Sequence, residues 1–312
     1  MEPNTMTMID SPSPGAPSTG SARPGGRRAR AGRAVTYTLV TALALAIAVP
    51  VAWVLTASLK AKSEFFGSPW TLPEALRWEN YVDAFTDAHL GSYFLTSILV
   101  TVLGLVFVLA VSVPAAYVIA RYDFPGKGAV ETALLAGLFV NVNYIVVPIF
   151  LMLVDWDKAL VDAFPDGFFL DNPTVLSLVY AATSIPFTIY LLTAYFRSIP
   201  VEYEDAAALD GASRFRIMTT IMLPMARPAV TTVILFNFLA YWNDFIISLT
   251  LLPGEGKTVQ VGLLNLFTAQ KAAADYGRLY AGMVIVIVPV LLVYALIQKR
   301  LIEGMASGGV KG

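Results

Sequence analysis

Six long apolar segments dominate this 312-residue chain and restrict the folds that it can adopt. Each is long enough to cross the hydrocarbon layer of a membrane as a helix, which takes about 20 residues. Their continuous apolar character differs from the alternating pattern of a membrane β-barrel. Charged residues make up only 14% of the chain, whereas soluble domains carry roughly 25%. The sequence therefore predicts an all-α membrane protein, in preference to a soluble helical protein with a buried core. The predicted spans lie near residues 35–59, 93–120, 131–154, 173–196, 228–252 and 279–297.

The lysines and arginines are distributed unevenly between the two sides of these spans. The N-terminal tail and the segments after the second, fourth and sixth spans carry twice as many of the 21 cations as the other segments do. Cytoplasmic segments are the ones that retain lysine and arginine. We therefore expect both termini and residues 198–224 to be cytoplasmic. The loop from Asp155 to Asp171, which contains further aspartates, is expected to face outward.

Both ends of the chain lie outside the predicted six-helix domain, residues 35–303. The first 34 residues are rich in Ser, Pro, Gly and Arg, a composition typical of a disordered tail. A cleaved signal peptide is the alternative, because a basic stretch precedes an apolar one. The apolar run is too long for that and lacks a small-residue cleavage site, which favours a retained signal anchor. Residues 304–312 are expected to form a short C-terminal tail.

Residues suited to catalysis are scarce. His89 is the only histidine and cysteine is absent from the sequence, so disulfides, thiolate chemistry and sulfur metal sites are excluded. The sequence contains no phosphate-binding glycine loop and no carboxylate pair at metal-ligand spacing. We therefore expect no catalytic residue, no metal site, no cofactor and no nucleic-acid ligand, with His89 solvated in an outer loop. If the protein performs work, the energy must come from a gradient or from a partner.

A polar, charged segment separates the fourth and fifth spans; residues 198–224 are called the interspan segment below. Pro200 and the acidic residues that follow it favour the start of a helix, since negative charge complements the positive end of the helix dipole. Ala206–Ala208 continue that helix with little bulk. Gly211 can take the left-handed conformation that ends it, and Ser213 can cap a second helix. Residue chemistry alone leaves two uses open: a docking site for a protein, or an amphipathic connector on lipid headgroups.

The interspan segment closely resembles the signature loop in the membrane subunits of bacterial ATP-binding-cassette importers. That loop reads Glu-Ala-Ala, three residues, Gly, nine residues, Ile, one residue, Leu-Pro. Here Asp205-Ala206-Ala207 precedes Gly211 at the family spacing, and Ile221, Leu223 and Pro224 fall in place. Asp205 replaces the usual Glu, which shortens the side chain by one methylene and keeps its charge. The resemblance implies the type I importer permease fold, in which six transmembrane helices carry cytoplasmic coupling helices.

Flanking segments resemble the carbohydrate branch of this family, in particular the maltose-type second permeases. These segments are Ser58-Leu59-Lys60, Trp78-Glu79-Asn80-Tyr81, Arg121 to Lys127, Trp242-Asn243-Asp244-Phe245 and Gly304 to Gly312. The resemblance implies a subunit of an ATP-driven, binding-protein-dependent sugar importer in a bacterial plasma membrane. The implied partners are a second homologous permease in a heterodimer, a cytoplasmic ATPase dimer that binds the ATP, an extracytoplasmic solute-binding lipoprotein, and the surrounding lipid.

The resemblance also implies that the interspan segment couples the ATPase to transport. Glu204 and Asp205 are expected to pair with basic side chains of an ATPase groove, Ala206–Ala208 to allow a close fit, and Gly211 to form the turn. The expected coupling residues are Glu204, Asp205, Ala206, Ala207, Ala208, Asp210, Gly211, Ile221, Leu223 and Pro224.

Polar residues within two spans are candidates for a sugar pathway, since polar side chains in membrane helices usually face the bundle interior. Asn237, Tyr241 and Asp244 are spaced to share one face of the fifth helix, and Asn141 and Tyr144 one face of the third. Amides and carboxylates can bond sugar hydroxyls, and aromatic rings can pack on a pyranose. The alternative is structural: the asparagines join helices, and Tyr241 belongs to the interfacial aromatic belt.

Three other functions remain open from the sequence. A permease for another solute class, such as amino acids or phosphate, would share the interspan pattern. A secondary transporter driven by an ion gradient would more often carry internal repeats or buried charge along its spans. A membrane receptor or assembly factor would transport nothing. For the importer, the resemblance implies a disaccharide or oligosaccharide over a monosaccharide, with N-acetylated amino sugars included.

Overall fold

The chain folds into helices joined by turns and short loops. The computed structural model describes residues 26–86, 89–165, 167–273 and 275–308, and no strand occurs in these ranges. The all-α prediction is therefore confirmed. The helices are α1 Gly26–Ala57, α2 Lys62–Gly67, α3 Glu79–Thr86, α4 Leu90–Arg121, α5 Lys127–Gly137, α6 Val142–Ala159, α7 Pro173–Ser198, α8 Glu202–Leu209, α9 Arg214–Ile217, α10 Leu223–Met225, α11 Arg227–Trp242, α12 Ile246–Leu251, α13 Val259–Ala273 and α14 Tyr276–Gly308. A π-helical turn, Met218–Met222, joins α9 to α10.

Four of these helices are long and apolar enough to cross a membrane without a break: α1, α4, α7 and α14. Two further candidate spans are bent pairs. Helices α5 and α6 lie at 104° to each other, and the stretch Arg214–Met225 lies at 76° to α11. Length and composition thus allow up to six spans in the described residues, which agrees with the number predicted.

The predicted span at 131–154 is divided into two helices, α5 and α6. At the end of α5, Gly137 lies against α7, where a Cβ would be 2.8 Å from the Cγ of Pro186. Asn141 then begins α6 as its cap, because its side-chain oxygen accepts the amide of Asn143 at 3.0 Å. Three of the four residues between the two helices are apolar, and Asn141 is the exception, so the break leaves little trace in the hydropathy.

The predicted span at 228–252 is divided in the same way, between α11 and α12. Asn243 Nδ2 donates to the carbonyl of Leu239 in the last turn of α11, at 2.8 Å. The amide of Ser248 in α12 donates to Asp244 Oδ2 at 2.9 Å. Polar side chains thus end one helix and begin the next. Asp244 therefore lies beyond α11 and does not share a helical face with the residues expected beside it.

Helix extends further into both chain ends than their composition predicted. Helix α1 begins at Gly26, so residues 26–34 of the expected disordered tail are helical; residues 1–25 lie outside the described residues. Arginine and alanine in this stretch favour continuation of the apolar helix upstream. Helix α14 continues through Gly308, so the expected C-terminal tail is helical from residue 304 to residue 308. Residues 309–312 lie outside the described residues.

The chain divides into two compact units between Ala52 and Trp53. In the first unit, α1 carries exposed apolar side chains from Val35 onward. In the second unit, α4 and α7 form the most extensive helix pair.

Three buried apolar clusters hold the second unit together. The first joins one end of α4 and α7 to α8, α9 and α11, and includes the fully buried Phe196 and Met222. The second joins α4, α6, α7, α11 and α12 around Leu176. The third joins α3, α4, α11, α13 and α14 around Leu90. The interspan segment is therefore packed into the same core as three membrane helices.

Candidate functional site

The first helix of the interspan segment, α8, ends where local sequence rules predict. Gly211 has a φ of +79°. Its amide donates to the Ala208 carbonyl, and the amide of Ala212 donates to the Ala207 carbonyl, both at 3.0 Å. This pair of bonds is the Schellman motif, which satisfies the last carbonyls of a helix. The left-handed conformation expected of Gly211 is confirmed.

The second half of the interspan segment anchors it to α11. Ser213 Oγ accepts a backbone amide of α9 at 3.3 Å, which confirms the expected cap. The π-helical turn follows, in which Met222 is fully buried and Ile221 partly buried. Leu223 packs on the same cluster, and Pro224 lies in the first turn of α10. The chain then bends by 76° into α11.

Helix α8 divides its expected coupling residues between an outer and an inner face. Ala207 is buried within the cluster that contains the ends of α4 and α7. The other small or acidic residues around it are exposed: Asp205, Ala206, Ala208, Asp210 and Gly211. Because methyl side chains project little, the outer face is open to close approach by another surface.

Glu204 faces inward and is bound by α4. Its Oε1 lies 2.5 Å from Arg121 Nε, and the Tyr117 hydroxyl donates to its Oε2 at 2.7 Å. Only 12% of the Glu204 side chain is exposed. The expected pairing with an ATPase groove stays a prediction; in the described residues, both carboxylate oxygens of Glu204 contact α4. Its partners lie far away in the sequence, so local rules gave no indication of them.

Two large apolar side chains of the interspan segment are strongly exposed. Leu209 at the end of α8 is 89% exposed, and Phe215 in α9 is 71% exposed. They flank the turn at Gly211 in the sequence. Neither residue was among the coupling residues that the sequence predicted. The available signal was a large apolar residue in a segment outside the predicted spans, since such exposed residues often mark interaction sites.

The expected sugar-pathway residues of the fifth span contact α7. Asn237 is buried, and its Nδ2 donates to Thr188 Oγ1 at 3.0 Å. The Tyr241 ring stacks on the ring of Tyr180, with centroids 5.0 Å apart and planes 12° apart. The Tyr180 hydroxyl donates to Asp244 Oδ2 at 2.6 Å. Tyr241 and Asp244 thus both contact Tyr180, a residue that the sequence analysis did not identify. Asn237 forms a separate contact with Thr188.

The two candidates of the third span do not share a helical face as expected. Asn141 precedes α6 and caps it, whereas Tyr144 lies in its first turn. The Tyr144 side chain is 83% exposed. The side-chain oxygen of Asn141 accepts the capping hydrogen bond, and the role of these two residues in a sugar pathway stays a prediction.

Comparison with known proteins places this arrangement in a described family. Residues 112–306, more than half of the chain, match the family described as binding-protein-dependent transport system inner membrane component. The matched region includes α8, its turn at Gly211 and the bend into α11.

Individual relatives match over most of the chain. It is 37% identical over 276 residues to the diacetylchitobiose uptake system permease protein NgcG of Streptomyces coelicolor, covering 88% of each chain. It is 30% identical over 281 residues to the trehalose transport system permease protein SugB of Mycobacterium tuberculosis, covering 89% of this chain and 97% of the other. A solved chain of a bacterial ABC transporter involved in the import of the acidic polysaccharide alginate has a TM-score of 0.73 at 25% identity, over 88% of this chain and 98% of its own.

Proposed function

Because the chain belongs to the binding-protein-dependent transport system inner membrane components and is a permease subunit of a sugar importer, we propose that its interspan segment receives a partner ATPase. The segment then transmits the motion of that ATPase to the membrane helices. The observation that supports this proposal is that α8 has an exposed outer face and an inner face packed on the membrane helices. Its outer face presents Asp205 beside small side chains, and its inner face is joined to α4 and to the cluster shared by α7 and α11.

The proposal requires partners that supply the energy and complete the pathway. A second homologous permease forms a heterodimer with this chain, and each provides half of the translocation pathway. A cytoplasmic ATPase dimer binds and hydrolyses ATP. An extracytoplasmic solute-binding lipoprotein delivers the sugar. This chain contributes no catalytic group, no metal ligand and no cofactor of its own.

In the proposed cycle, ATP binding closes the ATPase dimer and carries α8 inward. Asp205 pairs with basic side chains of an ATPase groove, and Ala206 and Ala208 allow the close fit. The ends of α4 and α7 move with α8, and the spans change from inward-facing to outward-facing. Because the coupling acts between two states, the contacts or the position of α8 must differ between them.

This cycle places the interspan segment and both termini in the cytoplasm. The distribution of lysine and arginine supports that orientation, since the segments on this side carry twice as many of them as the other segments do.

We further propose that the transported sugar is a disaccharide or an oligosaccharide, with N-acetylated amino sugars included. The relatives named for diacetylchitobiose and trehalose support this class. Asn237 and Asp244 each form a hydrogen bond with a neighbouring helix, which supports a larger share of sugar recognition by the partner subunits. A thermal-shift panel on the solute-binding protein identifies the sugar, because a ligand stabilises the fold that binds it. Stabilisation by amino acids or phosphate alone would contradict the sugar class.

Purification of the tagged full chain from membranes tests the proposed function. An ATPase and a second permease should co-elute, and the reconstituted complex should take up sugar only when ATP is supplied. Gly211→Val should uncouple the two activities, since a β-branched residue does not adopt the φ of this turn. Gly128→Ala, in the first turn of α5, is the control. Uptake driven by an ion gradient without ATP, or unchanged uptake in Gly211→Val, would contradict the proposal.

A further inference from the structure

A network of charged and polar side chains joins the inner side of α8 to the end of α4. Arg121, the last residue of α4, places its Nε 2.5 Å from Glu204 Oε1. The Nη2 of the same side chain donates to the Ile199 carbonyl at 2.6 Å. Tyr117, one turn earlier in α4, donates its hydroxyl to Glu204 Oε2 at 2.7 Å. The Arg121 and Glu204 side chains are each only 12% exposed.

Arg121 binds both sides of the link between α7 and α8. Ile199 is the first residue after α7, whereas Glu204 lies in the first turn of α8. This short link is the place where α8 could pivot independently of the spans. The Nη2 of Arg121 donates a hydrogen bond to the Ile199 carbonyl, and the charged guanidinium forms an ion pair with the Glu204 carboxylate. One arginine that holds a carbonyl on one side of the link and a carboxylate on the other therefore restricts the pivot.

Two aromatic contacts extend the network to the neighbouring helices. The Arg214 guanidinium of α9 lies over the Tyr122 ring, 5.0 Å from its centroid. The Tyr117 ring packs edge-on against Phe196 of α7, with centroids 5.8 Å apart. The ends of α4 and α7 are thus joined to both helices of the interspan segment.

We infer that Arg121 and Tyr117 are positioning residues that lock α8 to α4, so that a displacement of α8 moves α4 and α7 instead of bending the α7–α8 link. This inference rests on the proposed function and assigns the contacts through which the segment transmits motion. Removal of one member of a largely buried ion pair leaves the other charge unpaired. Loss of either Arg121 or Glu204 should therefore weaken the attachment of α8 to α4, while the apolar contacts around Ala207 remain.

A second ion pair in the same region provides a matched control. Arg197 of α7 donates through Nη2 to Glu131 Oε1 of α5 at 2.5 Å. Its side chains are 50% and 34% exposed, and it joins α5 to α7 without involving α8. Glu131→Gln removes the same charge as Glu204→Gln from a pair of the same chemistry.

A distance measurement on the full permease chain in lipid nanodiscs tests the lock without any partner. Because the sequence has no cysteine, spin labels can be attached at Ala208→Cys on α8 and Val118→Cys on α4, both of which are exposed. Glu204→Gln should broaden the distance distribution between the labels, and Glu131→Gln should leave it unchanged. Tyr117→Phe keeps the ring and removes one hydrogen bond, so it should broaden the distribution less.

Transport by the complete reconstituted complex tests the consequence. In Glu204→Gln and Arg121→Gln, the sugar taken up per ATP hydrolysed should fall by about tenfold, the scale expected when a strongly coupled contact is lost. The ATPase should still co-purify, because the outer face of α8 is intact. Tyr117→Phe should lower the sugar taken up per ATP hydrolysed by a smaller factor. This variant also tests the contact if Arg121→Gln does not fold.

The outcomes separate this inference from the proposed function. An unchanged label distance in Glu204→Gln, or full coupling in that variant, overturns the lock while leaving ATPase docking intact. An equal loss of coupling in Glu131→Gln also overturns it, since the effect would then be general to this region. If no ATPase binds the unsubstituted chain, the proposed function fails, and the label distances alone decide whether α8 is locked to α4.

Discussion

Gly211 shows how a single backbone angle fixes the shape of the interspan segment. Its φ is +79°, and a Cβ at this position would meet no atom within 4 Å. The cost of a side chain here is therefore backbone strain and not a clash. Residue-level rules placed this turn correctly because a Schellman motif depends on a few neighbouring residues only.

We predict that Gly211→Ala lowers the free energy of unfolding by about 1 kcal/mol, the strain of an L-residue in this conformation. The control is Gly128→Ala, where space is equally open and φ is not left-handed. That substitution should be neutral or slightly stabilising, because glycine within a helix is less favourable than alanine. Thermal unfolding of the purified variants measures both. Equal effects at the two positions would show that the turn imposes no special conformation.

The chemistry of Asn237 permitted either contact with a sugar or a hydrogen bond between helices, and its contact with Thr188 favours the second role. Its amide is buried against Thr188 of α7, as expected of a polar side chain that joins two membrane helices. We predict that Asn237→Ala lowers stability by about 1 kcal/mol, the scale of such hydrogen bonds in membranes. Thr188→Val should cost a similar amount, and the double variant should cost less than the sum. The affinity of the complex for sugar should not change; a large loss of affinity would assign Asn237 to the sugar pathway instead.

At the scale of elements, the outer surface of α8 and α9 carries two apolar side chains that are exposed more than any other large apolar side chain of the interspan segment. Leu209 and Phe215 project from a segment whose other exposed residues are mostly small or charged. Apolar anchors of this kind supply much of the binding energy when they fill a partner's pocket.

We predict that Leu209→Ser or Phe215→Ser reduces the amount of ATPase that co-purifies by roughly tenfold. The fold should be retained, because neither side chain is part of the buried clusters. Leu72→Ser is the control, since Leu72 is similarly exposed in the loop between α2 and α3. Undiminished ATPase binding in both interspan variants would exclude these side chains as anchors.

The sequence analysis predicted long unbroken helices better than broken ones. Helices α4 and α7 are predominantly apolar over more than 20 residues, and a backbone in lipid must form its hydrogen bonds internally, so such a run must be helical. The breaks after Gly137 and Trp242 were not predicted, because the first lies among mostly apolar residues and only Asn243 and Asp244 mark the second. They depend on close packing of α5 on α7 and on the capping side chains of Asn141 and Asp244. Long-range contacts such as that of Arg121 with Glu204 could not be predicted from the sequence either, since they form only when α4 and α8 pack together.

At the scale of the whole molecule, the second unit has one end at which α4, α7, α8, α9 and α11 share a single buried cluster. A force applied to the interspan segment at this end therefore reaches three membrane helices directly. The family membership and the distribution of positive charge agree with an ATPase partner on the same side. Our central proposal is that the outer face of α8 is the surface on which this partner docks.

Photocrosslinking in the assembled complex tests that proposal most directly. A photoreactive amino acid is placed at Ala208, on the outer face of α8, or at Leu72, in the loop between α2 and α3. Uptake of sugar by each labelled complex is measured to establish that it is active. We predict a crosslink to the ATPase from position 208 and none from position 72. An active complex that crosslinks to the ATPase from position 72, or that gives no crosslink from position 208, would contradict the account.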